Sequence, residues 1–224
     1  MKKIINEMKR PDAELIDEIK KVAECYSASC VFTDAQERAG VMRSDIKPIE
    51  RTKIVGPALT VKLHNNDLVD CLDALKVAQA GDVIVVDANG ETETSIWGGL
   101  MAGLCKVKGV AGAIVDGAIR DIDEIRDMDF SIFSKAIVPR ATHTYLSGRQ
   151  EPIEINVAIS CGGVIVNPGD LIVADEIGVT VIRQEDARDV LNKAAKLAEN
   201  EELARRKIKE GKTLDELLAE FGRL

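Results

Sequence analysis

Three short apolar runs, separated by segments of helical periodicity, constrain the fold of this chain most. They are VIVVDA at 83–88, VAGAIV at 110–115 and SIFSKAIV at 131–138. Near-continuous apolar runs of this length are typical of strands that are covered on both faces, as in a parallel sheet. The segments between them predict helices over about 96–108 and 121–129. The first half of the chain therefore predicts alternating strands and helices, and with them an α/β fold.

The pattern changes after Pro139, where short strand-like runs follow one another with only turns between them. The runs are IEINVAIS, GGVIVNPGDLIVAD and GVTVIR, and Pro168-Gly169-Asp170 is typical of a tight turn. This half of the chain favours antiparallel or mixed pairing. Together the two halves predict a mixed central sheet.

The C-terminal segment from about residue 184 to residue 218 is highly charged and is predicted to be helical. Gly211 divides it into two helices, and Thr213 and Glu216 have the spacing of a capping box for the second one. A solvated face with i,i+4 ion pairs would account for the charge. The alternative is an arm that packs on a neighbouring subunit and delivers an acid to its site.

The N-terminal part contains two predicted helices. Pro11 suits the first turn of a helix that continues to about residue 26. Thr33 or Asp34 is expected to cap a short second helix that ends at Gly40, and Glu37 completes a capping box for Asp34.

Three further segments carry local signals. Residues 52–63 predict a strand, and its Gly56-Pro57 pair indicates a bulge or an edge because proline cannot donate to a ladder. Residues 65–67, Asn-Asn-Asp, predict a turn and a helix cap. The segment NGETETS at 89–95 predicts a polar loop.

Length and composition restrict the class of protein. The 224 residues suit one large domain, which we place over residues 1–224 with a core at about 28–185 and a helical arm at about 185–224. Hydrophobic residues make up 46%, which indicates a globular chain. The net charge of -8 gives no sign of a basic face for direct nucleic-acid binding. No apolar run reaches the roughly 20 residues of a membrane span, and no secretory signal is visible, so we expect a cytoplasmic protein without membrane association.

The cysteine pattern favours reduced thiols in the core. The count of five is odd and no CxxC pair occurs, which argues against a disulfide framework or a structural metal site. The five residues are Cys25, Cys30, Cys71, Cys105 and Cys161.

The first candidate for chemistry is Gly98-Gly99, at the start of a predicted helix. The first turn of a helix leaves N–H groups unpaired, and glycine lets a ligand approach them closely. Residues 99–101 (Gly99, Leu100 and Met101) could therefore hold a carboxylate or a phosphate. Close packing of the helix on the sheet is the alternative explanation for the glycines. There is no GxGxxG, so a dinucleotide site is not supported.

The second candidate is Arg120-Asp121, which follows a predicted strand at a βα turn. Ligands of open α/β sheets lie at the carboxyl ends of strands, where Arg can bind a carboxylate and Asp can bind Mg²⁺. The alternative is that Asp121 caps the next helix and Arg120 pairs with a surface acid. We interpret Asp123, Glu124 and Asp127 as the solvated face of that helix.

Other polar residues give weaker signals. Asp87 and Asp116 each end an apolar run, so they could face one crevice or could each bond to the backbone of a turn. His64 and His143 lie far apart without a nearby serine or cysteine motif, which leaves Ser–His catalysis and structural zinc unsupported.

Taken together, these segments resemble the RraA-like family, which includes the regulators of ribonuclease activity A and the class II 4-hydroxy-4-methyl-2-oxoglutarate aldolases. The segments that carry the resemblance run in the family's order from about residue 30 to residue 185. They are IVGPALTVKL, ALKVAQAGDVIVVDANG, WGGLMAGLCKVKGVAGAIVDGAIRDIDEI, AIVPR and NPGDLIVADEIGVTVI.

The resemblance implies a swivelling β/β/α domain, similar to a phosphohistidine domain, that forms trimers or hexamers of two trimers. It implies cleavage of 4-hydroxy-2-oxo diacids to pyruvate and a second oxoacid, decarboxylation of oxaloacetate, and sites between subunits that need Mg²⁺ or Mn²⁺.

Matched by position, the resemblance also implies roles for single residues. Arg120 would bind the pyruvyl oxygens and stabilise the enolate, and Asp121 would bind the metal. The N–H groups near Leu100 and Met101 would hold the pyruvate carboxylate. Asp34 matches an acid contributed by the neighbouring subunit, and Glu199 in the C-terminal arm matches a second such acid.

One departure from the aldolase pattern affects the functional expectation. The aldolases have Asp, twenty residues and then Arg-Asp, but here the residue separated from Arg120 by twenty residues is Gly99. We expect a metal-dependent lyase of the pyruvate aldolase or oxaloacetate decarboxylase type. The alternative is a regulator that binds and inhibits an endoribonuclease through its acidic surface. A methyltransferase is not supported, because no glycine-rich nucleoside loop follows the first strand.

Overall fold

A computed structural model of the chain describes residues 2–64, 69–142 and 151–222. The strands are β1 (Lys3–Ile5), β2 (Lys47–Pro48), β3 (Ile54–Lys62), β4 (Val83–Trp97), β5 (Gly112–Ile119), β6 (Ile132–Ile137), β7 (Ile153–Ile155), β8 (Ile159–Cys161), β9 (Val164–Val166), β10 (Leu171–Ala174) and β11 (Val179–Ile182). The helices are α1 (Ala13–Val22), α2 (Ala28–Asp34), α3 (Val69–Val77), α4 (Gly99–Lys108), α5 (Ile122–Asp127), α6 (Ala187–Lys209) and α7 (Leu214–Phe221).

The predicted mixed sheet is confirmed. Its path is β1-β7-β3-β4-β5-β6-β2, and within it β3, β4, β5 and β6 pair in parallel. β7 and β10 pair antiparallel with β3, and β11 pairs antiparallel with β10. β8 and β9 form a separate antiparallel hairpin. The parallel part corresponds to the alternating half of the sequence. The antiparallel pairs involve strands that follow Pro139, except for the short pair of β2 with β6.

Three core clusters hold the helices and the strands of the structure together. The first lies between the sheet and α3, α4 and α5, and within it the rings of Trp97 and Phe130 stack 6.5 Å apart. The second lies between the other sheet face and the β8–β9 hairpin, and includes Ile114 and Phe133. The third holds α1, α2 and the first half of α6 against β10 and β11.

The second helix differs from its prediction. We expected Thr33 or Asp34 to begin it, but α2 begins at Ala28 and ends at Asp34. Burial explains the shift, because Ala28, Val31 and Phe32 have helical spacing and are all covered by the third core cluster. The prediction of a capping box formed by Asp34 and Glu37 is therefore wrong.

The predicted loop at 89–95 is wrong as an assignment, because β4 continues through it. β4 pairs with β5 at Asp87, Glu91, Ser95 and Trp97, and their partners on β5 are Asp116 and the three consecutive residues 117–119. The register therefore shifts between these pairs, and the residues between them bulge away from the ladder.

At Gly56-Pro57, β3 has a paired strand on one side only, which agrees with the predicted edge. Pro57 pairs with β10, but the parallel ladder with β4 begins only at Ala58. Gly56 is required for a different reason: a Cβ atom there would lie 2.2 Å from the carbonyl oxygen of Gly81. The turn predicted at 65–67 lies outside the described residues.

The C-terminal helices agree with their prediction. Gly211 lies in the left-handed region with a φ of 85° and separates α6 from α7. The side chain of Thr213 accepts from the backbone of Glu216, and the Glu216 carboxylate accepts from the backbone of Thr213, which confirms the capping box. Among the described residues, no helix is long and apolar enough to cross a bilayer.

All five cysteines are free thiols, but only three lie in the core. Cys71, Cys105 and Cys161 are buried, and burial raises the pKa of the Cys105 thiol to about 12. Cys25 is half-buried and Cys30 is exposed, so the prediction of a core position is wrong for Cys30.

A buried ion pair ties β5 and β6 to the hairpin on the second core. Lys135 Nζ lies 3.0 Å from Asp116 Oδ1, with side-chain exposures of 12% and 11%. Asp116 Oδ2 also accepts from the backbone N–H of Gly162, at 2.7 Å. Removal of the ammonium leaves a buried carboxylate without its cation, which typically costs about 3–5 kcal/mol.

We therefore expect Lys135→Met to lower the free energy of unfolding by about 3–5 kcal/mol, measured by urea denaturation. The matched control is Lys193→Met, which removes the cation of an exposed pair with Asp189 and should have little effect. Equal urea midpoints for the two variants would show that the buried pair does not stabilise the fold.

Candidate active site at the start of two helices

The two glycines begin α4, as predicted, although the helix starts at Gly99 and not at about residue 96. Gly98 is the N-cap residue in an extended conformation, and its carbonyl accepts the N–H of Ala102 at 3.1 Å. The N–H groups of Gly99, Leu100 and Met101 precede this bond and point out of the helix start.

One of these three N–H groups is already used by the chain itself. Gly99 N donates to Asp121 Oδ2 at 3.1 Å. The N–H groups of Leu100 and Met101 have no acceptor within α4, since the first helical bond is that of Ala102. The structure therefore leaves a two-donor cradle beside a carboxylate that α5 supplies.

Arg120 and Asp121 lie directly beside this cradle. β5 ends at Ile119, and the next N–H, that of Arg120, donates to the carbonyl of Trp97 at 2.9 Å. Arg120 Nε lies 3.5 Å from Asp121 Oδ2, and both side chains are about two-fifths exposed. Asp121 occupies the N-cap position of α5, but its side chain makes no cap bond there. Its carboxylate instead faces α4 and the guanidinium.

Glu124 is exposed, as the predicted solvated helix face requires, but its carboxylate also reaches the candidate site. A Cβ atom built on Gly99 would lie 1.8 Å from Glu124 Oε2. The Glu124 carboxylate thus fills the space that any side chain at position 99 would enter. Asp123 and Asp127 are exposed as predicted. The spacing was a usable signal, since residues 121 and 124 share one face of a helical turn.

Gly98 is restricted by the same close approach. A Cβ atom there would lie 2.5 Å from Asp121 Oδ2 and 3.3 Å from Arg120 Nε. The adjacent glycines thus let two carboxylates and one guanidinium converge on a single helix start. Close approach of protein groups, in addition to helix packing, explains both glycines.

The donor set is chemically suited to a hard divalent cation. Among the described residues, no group of three or more His, Cys, Asp or Glu is placed to hold a metal ion. Mg²⁺, however, usually takes one or two carboxylates and completes its shell with water and substrate oxygens. Asp121 and Glu124 are the two carboxylates that would supply such ligands here.

The other two acids implied by the resemblance lie elsewhere on the chain. Asp34 lines a cavity of about 820 Å³ between the end of α2 and the helices α6 and α7, to which neither Arg120 nor Asp121 contributes. Glu199 is exposed on α6, next to Asn200, which lines the same cavity. Within one chain the structure therefore brings Asp34 and the Glu199 region together, but not with Arg120.

The remaining polar candidates have structural contacts. Asp87 and Asp116 are direct partners across β4 and β5, and each accepts a backbone N–H, from Asn89 at 3.0 Å and from Gly162 at 2.7 Å. Backbone bonding, one of the two alternatives for these aspartates, is thus confirmed. His64 Nε2 lies 3.4 Å from Glu154 Oε2, and His143 lies outside the described residues.

Comparison with known proteins gives consistent matches. The family described as "RraA-like: Aldolase/RraA" matches residues 13–181. A Halalkalibacterium halodurans protein named "Putative 4-hydroxy-4-methyl-2-oxoglutarate aldolase" is 41% identical over 181 residues, which cover 80% of this chain and 83% of that protein. A Thermus thermophilus 4-hydroxy-4-methyl-2-oxoglutarate aldolase is 32% identical over 133 residues, 59% of this chain and 77% of its own.

The solved structures agree with these matches. Streptomyces coelicolor RraAS2, described as an unusual member of the RNase ES inhibitor RraA protein family, superposes with a TM-score of 0.75 at 30% identity. The match covers 89% of this chain and 99% of that one.

The geometry predicts that Gly99 and Gly103, on the same helix, respond differently to alanine. At Gly103 the nearest atom to a new Cβ is Met128 Sδ at 3.4 Å. Gly103→Ala should therefore stabilise the protein by up to about 1 kcal/mol through helix propensity. Gly99→Ala must displace the Glu124 carboxylate and should gain less.

Urea denaturation and a crystal structure of Gly99→Ala would test this. An equal gain at both positions, with Glu124 unmoved, would contradict the close approach.

Proposed function

Because the chain belongs to the RraA-like family, we propose that it is a divalent-metal-dependent lyase that releases pyruvate from a 2-oxo acid. The observation that carries this proposal is the Glu124 carboxylate over Gly99, beside Arg120 and Asp121. The substrates are 4-hydroxy-2-oxo diacids, cleaved by retro-aldol reaction, and oxaloacetate, cleaved by decarboxylation.

In this proposal, Glu124 compensates for the Asp of the aldolase pattern that is missing at position 99. The aldolases place an Asp at the position of Gly99, and its absence removes one carboxylate from the site. Here a carboxylate from α5 enters the same space. The number of acidic groups at the helix start is thus preserved, although the side chain comes from a different element.

In both reactions, a carbon–carbon bond breaks and its electron pair moves toward the ketone oxygen. A divalent cation, Mg²⁺ or Mn²⁺, held by Asp121 and Glu124 would supply positive charge at that oxygen. Arg120 donates to the same oxygen as charge develops there, and the N–H groups of Leu100 and Met101 hold the carboxylate of the substrate. The pyruvate carbon finally takes a proton where the bond was broken.

Asp121→Asn should lower kcat/KM for pyruvate release from oxaloacetate by at least about 100-fold, because charge stabilisation of the reacting oxygen is lost. Glu124→Gln should act in the same direction, and both should weaken Mn²⁺ binding measured by calorimetry. Asp127→Asn, on the same helix but not among the side chains that approach Gly98 and Gly99, is the matched control. Absence of any metal-dependent pyruvate release by the native chain, or full activity in Asp121→Asn, would contradict the proposal.

A double variant tests the role of Glu124 separately. In Gly99→Asp/Glu124→Ala the carboxylate returns to position 99, and the single variant Glu124→Ala lacks it. We expect part of the lost activity and Mn²⁺ affinity to return in the double variant. If both variants are equally inactive, the two carboxylates are not interchangeable.

We further propose that the chain forms a ring of identical subunits, supported by an unpaired apolar face of α4. Leu100, Leu104 and Val107 are spaced i, i+4 and i+7, and their exposures are 82%, 52% and 90%. This aliphatic stripe starts at the candidate active site. Surface apolar residues grouped in this way mark interaction sites.

We propose that the stripe binds in the cavity between the end of α2 and the helices α6 and α7 of a second copy of the chain. This cavity is called here the α2–α6 groove. Leu197, Ala204, Ile208 and Phe221 give it an apolar wall. Its acids Asp34 and Glu37 complement Lys106 and Lys108 beside the stripe, whereas Glu201 is paired with Arg205 within the groove. Two different surfaces that fit each other make a head-to-tail contact, which closes into a ring, as a trimer does.

This contact would carry Asp34 and the Glu199 region of one subunit to the Arg120-Asp121 pair of the next. Asp34 could then accept the proton of a substrate 4-hydroxyl group during retro-aldol cleavage, with Glu199 as the second acid near the site. A site between subunits accounts for the separation of these acids from Arg120 within one chain.

Val107→Glu and Ile208→Glu should each dissociate the assembly, since each places a charge in the proposed contact. The mass in solution, measured by light scattering, reads out the effect, and Leu214→Glu on exposed α7 is the control. If Val107→Glu acts and Ile208→Glu does not, the stripe pairs with another surface and the α2–α6 groove is not its partner.

A second candidate function is inhibition of an endoribonuclease, favoured by the similarity to Streptomyces coelicolor RraAS2 and by the net charge of -8. Purified chain added to a ribonuclease E-type cleavage reaction would show it. Inhibition by native chain and Asp121→Asn alike, without pyruvate release, would favour this function over the lyase.

A further inference from the structure

We infer that Arg38 binds the second carboxylate of the diacid substrate, in the active site of the neighbouring subunit. The inference rests on the proposed function and on the proposed contact between the aliphatic stripe and the α2–α6 groove. It concerns which substrates the site accepts, and the resemblance assigned no role to this residue.

The first observation is that Arg38 has no side-chain hydrogen bond or ion pair with the part of the chain that the structure describes. It lines the α2–α6 groove with Asp34 and Glu37. Among the described residues, the ion pairs and side-chain hydrogen bonds leave its guanidinium unused. The other arginine of the groove, Arg205, is engaged, since it pairs with Glu201 and lies 5.3 Å from the ring of Tyr26. Arg38 is therefore the groove cation that is free to bind an anion.

The second observation is that the backbone holds Arg38 in an uncommon conformation. Glu37 and Arg38 have φ values of 56° and 71°, in the left-handed region that non-glycine residues seldom adopt. Arg38 N donates to Thr33 O at 2.9 Å, which ties the turn to α2. Two residues later, Gly40 O accepts from Val181 N at 2.8 Å, which ties the turn to β11.

Strain of this kind persists only where the surroundings over-determine it, and it is frequent at ligand sites. Here it fixes the direction of two adjacent charged side chains at the mouth of the groove. The position of Arg38 relative to Asp34 is thus set by the fold and does not depend on a flexible loop.

The third observation concerns charge in the candidate active site. A 4-hydroxy-2-oxo diacid or oxaloacetate carries two carboxylates. The N–H groups of Leu100 and Met101 account for one of them, and Arg120 is paired with Asp121 at 3.5 Å. The second carboxylate needs another cation. Arginine is suited to this because its guanidinium can bind both carboxylate oxygens.

The contact between stripe and groove provides that cation from the next subunit. The aliphatic stripe begins at Leu100, in the first turn of α4, so the groove that covers it reaches the start of the helix. Asp34 and Arg38 lie four residues apart on the same groove wall. If Asp34 reaches the neighbouring site, Arg38 is delivered with it.

Steady-state kinetics of Arg38→Asn test the inference, because asparagine tolerates the left-handed backbone while the guanidinium is removed. The KM for oxaloacetate should rise about 10- to 100-fold, as expected for loss of a charge-assisted bidentate contact. The kcat should not fall, because this carboxylate leaves oxaloacetate as neutral CO₂ and a contact to its charge stabilises the bound substrate more than the transition state. The inhibition constant of pyruvate, which lacks the second carboxylate, should not change. Arg38→Lys should recover part of the affinity, and Arg188→Ala, at an exposed ion pair with Glu18, is the control.

Mixed assemblies test whether Arg38 acts across the contact. Co-expressed Arg38→Asn and Asp121→Asn subunits should yield some sites with the KM of the native protein, since each lacks a different half of the site. If Arg38 served its own subunit, no such sites could form.

The outcomes separate the two proposals. If the native chain releases no pyruvate, the lyase proposal fails. If the native chain is active but Arg38→Asn keeps its KM for oxaloacetate, or if the inhibition constant of pyruvate rises equally, the role of Arg38 is overturned and the lyase proposal stands.

Discussion

The parallel pairing of β4 with β5 is the constraint on which the site depends. The last pair of that ladder joins Trp97 to Ile119, and the N–H of Arg120 then donates to the carbonyl of Trp97. Both strands therefore end at the same level of the sheet. Because each strand leads directly into a helix, α4 and α5 begin side by side, and residues that are twenty positions apart in the chain meet at one edge.

This arrangement creates a steric condition that glycine satisfies without displacing a neighbouring side chain. The carboxylates of α5 approach the start of α4 so closely that a Cβ atom at position 98 or 99 would overlap them. The absence of an acidic side chain at Gly99 and the position of Glu124 over Gly99 thus belong to one geometry. The sequence shows only that an acid is missing at position 99. The proposed function treats the Glu124 carboxylate as its replacement.

The solvent exposure of the candidate site links its proposed chemistry to the proposed assembly. Arg120 and Asp121 are two-fifths exposed, and an aliphatic stripe begins at the same helix turn. A water-filled surface site stabilises developing charge poorly, since bulk solvent screens its electrostatic interactions. Coverage by a second copy would exclude water and supply the acids and the cation that a single chain holds on its opposite side. Lyase activity and ring formation are for this reason one proposal with two parts.

The sequence by itself determined the local elements and the identity of several site residues. Near-continuous apolar runs identified the parallel strands, the glycine pair identified the start of α4, and the Thr213–Glu216 spacing identified a capping box, because each depends on neighbours in the chain. The sequence did not predict the bounds of α2 correctly, because burial against β10 and β11 determines where this helix begins. It placed Glu124 correctly on the exposed face of α5, but it gave no sign that the carboxylate also reaches the start of α4. Only the tertiary structure decided that Glu124 lies over Gly99 and that Asp34 lies away from Arg120, because both follow from how strands align and helices pack, and no local pattern encodes that distance.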